Sequence, residues 1–314
     1  MKKHAYLIMA HSNYEQLCVL LECLDDERND LYLHLDRKFE LSEEKIRDLK
    51  TAVKRSHLYL VPRYSIAWGG FSLVSGELAI LKQAATRADK YSYIHLLSGL
   101  DLPIKNQDYI HSFFTEHKGE EFVEFMDEGY VNKNLIRMKY YYPLQEFAGR
   151  FRKESTRKKL YRLQRGFVKI QKLIRVNRLR KNPYIMKAGS QWFSITAECA
   201  RYIADNAGSY IDMFKHCDCA DEYFIQTIIA NSEYYSRRHI PSRDSGSTQN
   251  MRLIVWEDSA HPITFTMEDY ERIMDSDLLF ARKFDEKTDN QIIEKVSTAV
   301  RSEDSMEICR HRDQ

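Results

Sequence analysis

The first hundred residues limit the fold most. Four short runs, AYLIMA (5–10), DLYLHLD (30–36), HLYLV (57–61) and YSYIHLL (91–97), are apolar or alternate polar with apolar residues, the patterns of strands. Between them, SEEKIRDLKTAV (42–53) and FSLVSGELAILKQAATRA (71–88) read as helices. SNYE (12–15) has the S-x-x-E form of a capping box ahead of LCVLLECL, which puts a helix start at Ser12. Strand–helix–strand alternation predicts an α/β fold, a mainly parallel sheet with right-handed crossovers and helices on its faces. Ligands of such sheets sit beyond the carboxyl ends of the strands. Asp36, the WGG loop (68–70) and Asp101 in SGLDLP all fall there.

Several function classes are excluded by what is missing. There is no G-x-G-x-x-G, no G-x-x-x-x-G-K-[ST] and no G-x-S-x-G. The six cysteines show no zinc spacing, and free thiols in a reducing cytoplasm are the expectation. No run reaches the roughly 18 apolar residues of a membrane span, and the apolar run near the N-terminus is too short for a signal peptide. The expected location is the cytoplasm, with any membrane contact peripheral. The 20 tyrosines suit sugar-binding surfaces and cores equally. PSRDSGSTQN (241–250) is the expected flexible loop.

Residues 150–181 carry fourteen Lys and Arg against one acid, Glu154. Within them Leu160, Leu163, Phe167, Ile170 and Ile174 draw one apolar helical stripe. Two readings stand: a solvated basic helix packed on the domain by that stripe, or a surface for anionic lipid or a phosphate-bearing acceptor. Nucleic acid is not expected, because few aromatics interleave with the charges.

AYLIMAHSN with LYLHLDRK, WGG, IHLLSGLDLPIK, AGSQWFSIT, ADEYFIQTIIANS and FARKFD, in that order, resemble one glycosyltransferase family. It holds the core-2/I-branching β-1,6-N-acetylglucosaminyltransferases and the peptide O-xylosyltransferases. The resemblance runs from about residue 4 to 286. It implies a GT-A-like fold with a UDP-sugar-binding half (1–105) and an acceptor-binding, catalytic half (106–290) that carries the basic insert 150–181. A tail (291–314) follows. It also implies inverting transfer from a UDP-sugar, GlcNAc first, without the metal-binding D-x-D motif of other GT-A enzymes. The only literal D-x-D, Asp275-Ser276-Asp277, reads as a helix end or turn.

An inverting displacement needs a base for the attacking hydroxyl and positive charge for the leaving diphosphate. Through the resemblance, Glu222 is the base and Asp221, beside it, is the N-cap that aims it. With no metal, Lys283 and Arg282 of FARKF and Arg252 of NMRLIVW are the cations for the diphosphate. Asp36 and Arg37 are placed at the nucleoside and Asp101 near the donor sugar; Trp68 and Trp192 are candidates for shaping the sugar sites, with core packing an equal reading of Trp192. Glu121, Glu124 and Arg137 are candidates for acceptor contacts. The short, unanchored chain points to a microbial enzyme of capsule or surface polysaccharide synthesis, with a lipid-diphosphate-linked glycan as acceptor. UDP-xylose-dependent O-xylosyl transfer is the alternative within enzymes. A glycan- or nucleotide-binding protein on the same fold is the alternative outside them.

Overall fold

Lys3–Ala10 forms strand β1, and all but its first residue are buried. Ala5, Leu7 and Met9 face one hydrophobic core; Tyr6, Ile8 and Ala10 face another. A strand covered on both faces reads as a continuous apolar run, as AYLIMA does. The computed structural model describes residues 2–151, 153–242, 248–256 and 262–302.

After β1 come α1 (Tyr14–Leu24), β2 (Asn29–Leu35), α2 (Glu43–Ala52), β3 (His57–Leu60), α3 (Phe71–Ala85) and β4 (Tyr91–Ser98). Then follow β5 (Asp101–Pro103), α4 (Gln107–Glu116), β6 (Phe122–Val123), α5 (Glu128–Asn134), α6 (Ile136–Lys139), α7 (Gln145–Ala148) and α8 (Glu154–Leu173). The remaining elements are β7 (Phe193–Thr196), α9 (Ala197–Asn206), α10 (Ile211–Phe214), α11 (Asp221–Ala230), β8 (Arg252–Ile254), α12 (Tyr270–Met274), β9 (Phe280–Arg282) and α13 (Asn290–Arg301).

The large sheet has the order β3-β2-β1-β4-β7-β6. Its first four strands are parallel; β7 runs antiparallel to β4, and β6 to β7. The chain steps outward from β1 to β3 and then returns to the other side of β1, so the direction of winding reverses between β1 and β4. In open α/β sheets ligands bind beyond the carboxyl ends of the strands, where such a reversal occurs. A small sheet, β5-β9-β8, follows directly from the end of β4. The sheet joins the two expected halves, since β6 and β7 extend the strands of residues 1–105.

Most expected elements are present at their expected places, with three differences. First, Ser12 caps nothing. Asn13 occupies the N-cap in the left-handed region (φ 58), and the Gln16 amide donates to the Glu286 carboxylate at 2.7 Å. The helix start is thus satisfied by a residue 270 positions away. Second, five tyrosines, at 6, 32, 91, 93 and 223, are fully buried, so much of the tyrosine content is core.

Third, the apolar stripe of α8 does not pack on the domain. Leu160 is half-buried, and the rest of the stripe, Leu163, Phe167, Ile170 and Ile174, is 41–66% exposed. The helix is held by the neighbouring row: Gln164 and Val168 are buried. Gln164 accepts from the Leu144 amide and donates to Gln145, and Gln171 bonds both backbone groups of Tyr141.

Among the described residues no helix is long and apolar enough to cross a membrane. The five described cysteines are free. Residues 243–247 of the expected loop and residues from 303 onward, with Cys309, lie outside the described residues.

Candidate active site

Helix α11 begins at Asp221, and its first turn supplies Glu222. Glu222 Oε2 accepts from Arg137 Nη1 at 2.6 Å, and both side chains keep about a third of their surface open, 33% and 27%. Burial lifts the Glu222 carboxyl above the ordinary glutamate range; Arg137 opposes the rise and Asp218 adds to it. Glu124 is raised as well, by burial first and by the Glu222 charge, while the Ser190 amide, donating at 2.9 Å, opposes this. Two carboxylates and a guanidinium from three separate segments, all half-buried, therefore act on one another.

Asp221 does not cap the helix. Ala220 is the N-cap, in helical geometry, and no side chain caps there. The first-turn amides of Glu222 and Tyr223 find the carbonyls of Cys219 and Ala220 instead. The Asp221 carboxylate turns inward: it is 8% exposed, and its Oδ1 is buried without a hydrogen-bond partner. Burial, with the Glu222 charge beside it, raises its pKa to about 7. Glu121 is likewise no acceptor contact, since its buried carboxylate accepts from both the amide and hydroxyl of Thr196.

A second group forms where β5 pairs with β9. Register places Asp101 opposite Arg282. Their side chains lie 3.8 Å apart, and the Arg282 guanidinium stacks 4.0 Å above the Trp192 ring. Asp101 also accepts from the amide and hydroxyl of Ser98, which closes the SGLD turn. Lys283 follows β9, half-buried, with its side chain in no ion pair among the described residues. Arg252 is enclosed. It is 2% exposed, donates to Ser194 Oγ at 2.9 Å and the Phe193 carbonyl at 2.7 Å, and stacks on Phe280. Burial lowers its pKa to about 9. Its donors brace the small sheet against β7 and leave little for an outside phosphate.

The strap 189–192 links the two groups. The Gly189 amide donates to the Glu222 carbonyl, Ser190 holds Glu124, and Trp192 carries Arg282. Gly189 has no room for a side chain, because a Cβ there would lie 1.8 Å from the Glu124 carbonyl oxygen.

The third group stands at the ends of β2 and β3. Asp36 is buried, its carboxylate accepting from the Lys38 and Ile66 amides, so it shapes the loop that carries Arg37. Arg37 lines a cavity of ≈ 650 Å³ with Tyr64, Phe71, Tyr142, Glu146 and Arg150. Trp68, 57% exposed, begins the WGG loop, whose Gly69 (φ +66) accepts from the Cys219 amide. The loop is thereby tied to the start of α11.

The Core-2/I-Branching enzyme family model matches residues 4–278. The chain belongs to that glycosyltransferase family. Xylosyltransferase oxt of Drosophila pseudoobscura pseudoobscura is 22% identical over 85% of this chain and 29% of its own length. Beta-glucuronosyltransferase GlcAT14B of Arabidopsis thaliana is 23% identical over 94% of this chain and 65% of its own. The chain thus spans under two thirds of either relative. A solved structure of mouse xyloside xylosyltransferase 1 in apo form superposes with TM-score 0.36 at 10% identity, over 88% of this chain and 96% of that one.

Some charged residues near these groups escape motif reading. Asp218 lies before α11, in the turn that contains the left-handed Cys219, and its charge acts on both Asp221 and Glu222. Its own carboxyl is raised by burial. Glu77 is the lone charge within the apolar helix FSLVSGELAIL, fully buried and bonded to Gln191. For metals, Asp275 lies at the end of α12 as expected of a turn, and Asp277 follows it exposed. Among the described residues one group has metal-ligand chemistry, His117, Glu120 and His239, and none of the residues above belongs to it.

Proposed function

We propose that this protein is an inverting glycosyltransferase that moves a sugar from a UDP-sugar to a glycan hydroxyl, with Glu222 as the base. The observation that carries this reading is the Glu222–Arg137–Glu124 group: a partly open carboxylate, desolvated, beside a guanidinium at 2.6 Å and a second carboxyl. Burial makes Glu222 a stronger base than a solvated glutamate, and Arg137 keeps it ionised and aimed. The attacking hydroxyl gives its proton to Glu222 as its oxygen bonds the anomeric carbon and the bond to the diphosphate breaks. Arg137 and Glu124 hold acceptor hydroxyls.

Lys283 and Arg282 neutralise the leaving diphosphate in place of a metal, and Asp101 and Trp192 hold Arg282 for that task. Arg252 supports them from beneath. Arg37, Trp68 and the loop shaped by Asp36 bound the donor's nucleoside end, where the cavity lies. GlcNAc is the donor sugar we place first. Similarity to the Drosophila xylosyltransferase supports xylose as the second choice. The acceptor is a lipid-diphosphate-linked glycan of a surface polysaccharide, met from the cytoplasm.

The test follows UDP release from a panel of UDP-sugars, with and without glycan acceptors. Glu222→Gln lowers kcat about 10²–10⁴-fold with little change in donor affinity. Activity persists in EDTA. Loss in EDTA with return on adding manganese overturns the metal-free reading. No turnover of any donor, with an inert Glu222→Gln, favours the binding-protein alternative.

A further inference from the structure

Helix α8 shows three rows of side chains. Tyr161, Gln164, Val168 and Gln171 face the domain, either buried or half-buried. Leu163, Phe167, Ile170 and Ile174 make the exposed apolar row, with exposures of 54, 41, 58 and 66%. Lys158, Arg162, Arg165, Lys169 and Lys172 make a third, exposed and basic. Lys158 meets Glu154; the other four have no ion pair among the described residues. Leu173, next to Ile174, is 82% exposed, and Phe147 and Phe151, just before the helix, are 61% and 46% exposed.

A solvated helix held to its domain has no physical use for this arrangement. Open Leu, Ile and Phe side chains cost free energy in water. The usual outcome, with apolar residues inward and glutamines outward, is reversed. α8 spends hydrogen-bonding glutamines on its anchorage and leaves its best hydrophobes free. Bulky apolar residues beside Lys and Arg on a helix of low mean hydropathy are the pattern of a helix lying in a membrane interface. Its 20 residues extend about 30 Å.

We propose that α8 docks this protein on an anionic lipid bilayer. Leu163, Phe167, Ile170 and Ile174 enter the headgroup–acyl boundary, and the exposed Arg162, Arg165, Lys169 and Lys172 bind the lipid phosphates. Charge complementarity selects the occupant: fourteen cations against one acid match a negative leaflet. Docking also brings the bilayer to the donor cavity, because Phe147 and Arg150, just ahead of α8, line it. The surface stands independently of the glycosyl-transfer reading and gains its purpose from it.

The test is sedimentation of the full chain with vesicles of phosphatidylcholine alone or with 30% phosphatidylglycerol. Wild type binds the anionic vesicles, weakens with salt and ignores the neutral ones. Arg162→Gln, Arg165→Gln, Lys169→Gln and Lys172→Gln together weaken binding about tenfold or more. Phe167→Glu with Ile170→Glu does the same, while circular dichroism stays unchanged, as suits exposed positions. Absence of vesicle binding by wild type overturns the proposal. So does full binding by the Phe167/Ile170 variant, which leaves charge alone and no insertion. Preference for RNA over vesicles at equal salt, or a dimer that the Phe167/Ile170 variant dissolves in a protein that ignores vesicles, also overturns it. Glu222→Gln retains vesicle binding, and the α8 variants retain turnover of a soluble acceptor. Failure of docking and failure of catalysis are therefore separately visible.

Discussion

Asp221 and Glu222 are chemically alike and adjacent, yet their surroundings divide them. Glu222 keeps an open face and an arginine; Asp221 is enclosed with an orphaned oxygen. The consequence for Asp221 is measurable. Its pKa rises from an ordinary 3.8 to about 7, so the fold favours its protonated form. The stability this contributes is full below about pH 4 and is lost as pH rises through about 7. Asp221→Asn is therefore more stable than wild type at pH 8.5, by on the order of 2–4 kcal/mol, and the gap closes towards pH 4. Urea titrations at several pH values check this, and a gap independent of pH contradicts it. The motif ADEYF singled out Glu222, and the structure gives it an open face beside Arg137. The fate of Asp221 was not legible, because capping depends on the turn before the helix. Cys219 there is held in the left-handed region (φ 49) and is bonded to Gly69, far away in the chain.

At the scale of elements, periodicity located α1, α2, α3 and α8 but not what each face meets. α8 is the clearest case: its stripe was legible, its partner was not. The row that anchors it is polar and works through directed hydrogen bonds, which a hydrophobic pattern does not register. Replacing Gln164 and Gln171 with Ala frees this anchorage. Trypsin then cleaves within 154–173 at least several-fold faster, while the global unfolding transition shifts by less than about 2 kcal/mol. Equal cleavage rates in both proteins contradict the glutamine anchor. α1 makes the same point, since a capping box was legible in SNYE while the working acceptor is Glu286. Short-range signals mark where helices begin, and the closing of long loops decides who satisfies them.

At the scale of the molecule, the two sheets share a hydrophobic core, with Tyr6 and His95 against Phe280, and a buried arginine crosses between them. Arg252 starts β8 in the small sheet and reaches Ser194 and Phe193 of β7 in the large one. Arg252→Met removes the donors to the Phe193 carbonyl and to Ser194 Oγ, which keeps only His95, and lowers stability by about 3 kcal/mol or more, read as a lower urea midpoint. An unchanged midpoint with a raised KM for the donor returns Arg252 to direct phosphate contact. Sequence alone determined the parallel strands β1 to β4, the crossovers between them and the carboxyl-end edge where Asp36, WGG and Asp101 lie. Those follow from local periodicity, which is a property of neighbouring residues. Only the tertiary structure decided that Arg137 meets Glu222 across 85 positions, that Arg282 stacks on Trp192, that Gly189 threads between them and that α8 bares its apolar row. These contacts join segments distant in the chain. Their geometry is set by packing and desolvation, and no local pattern carries either.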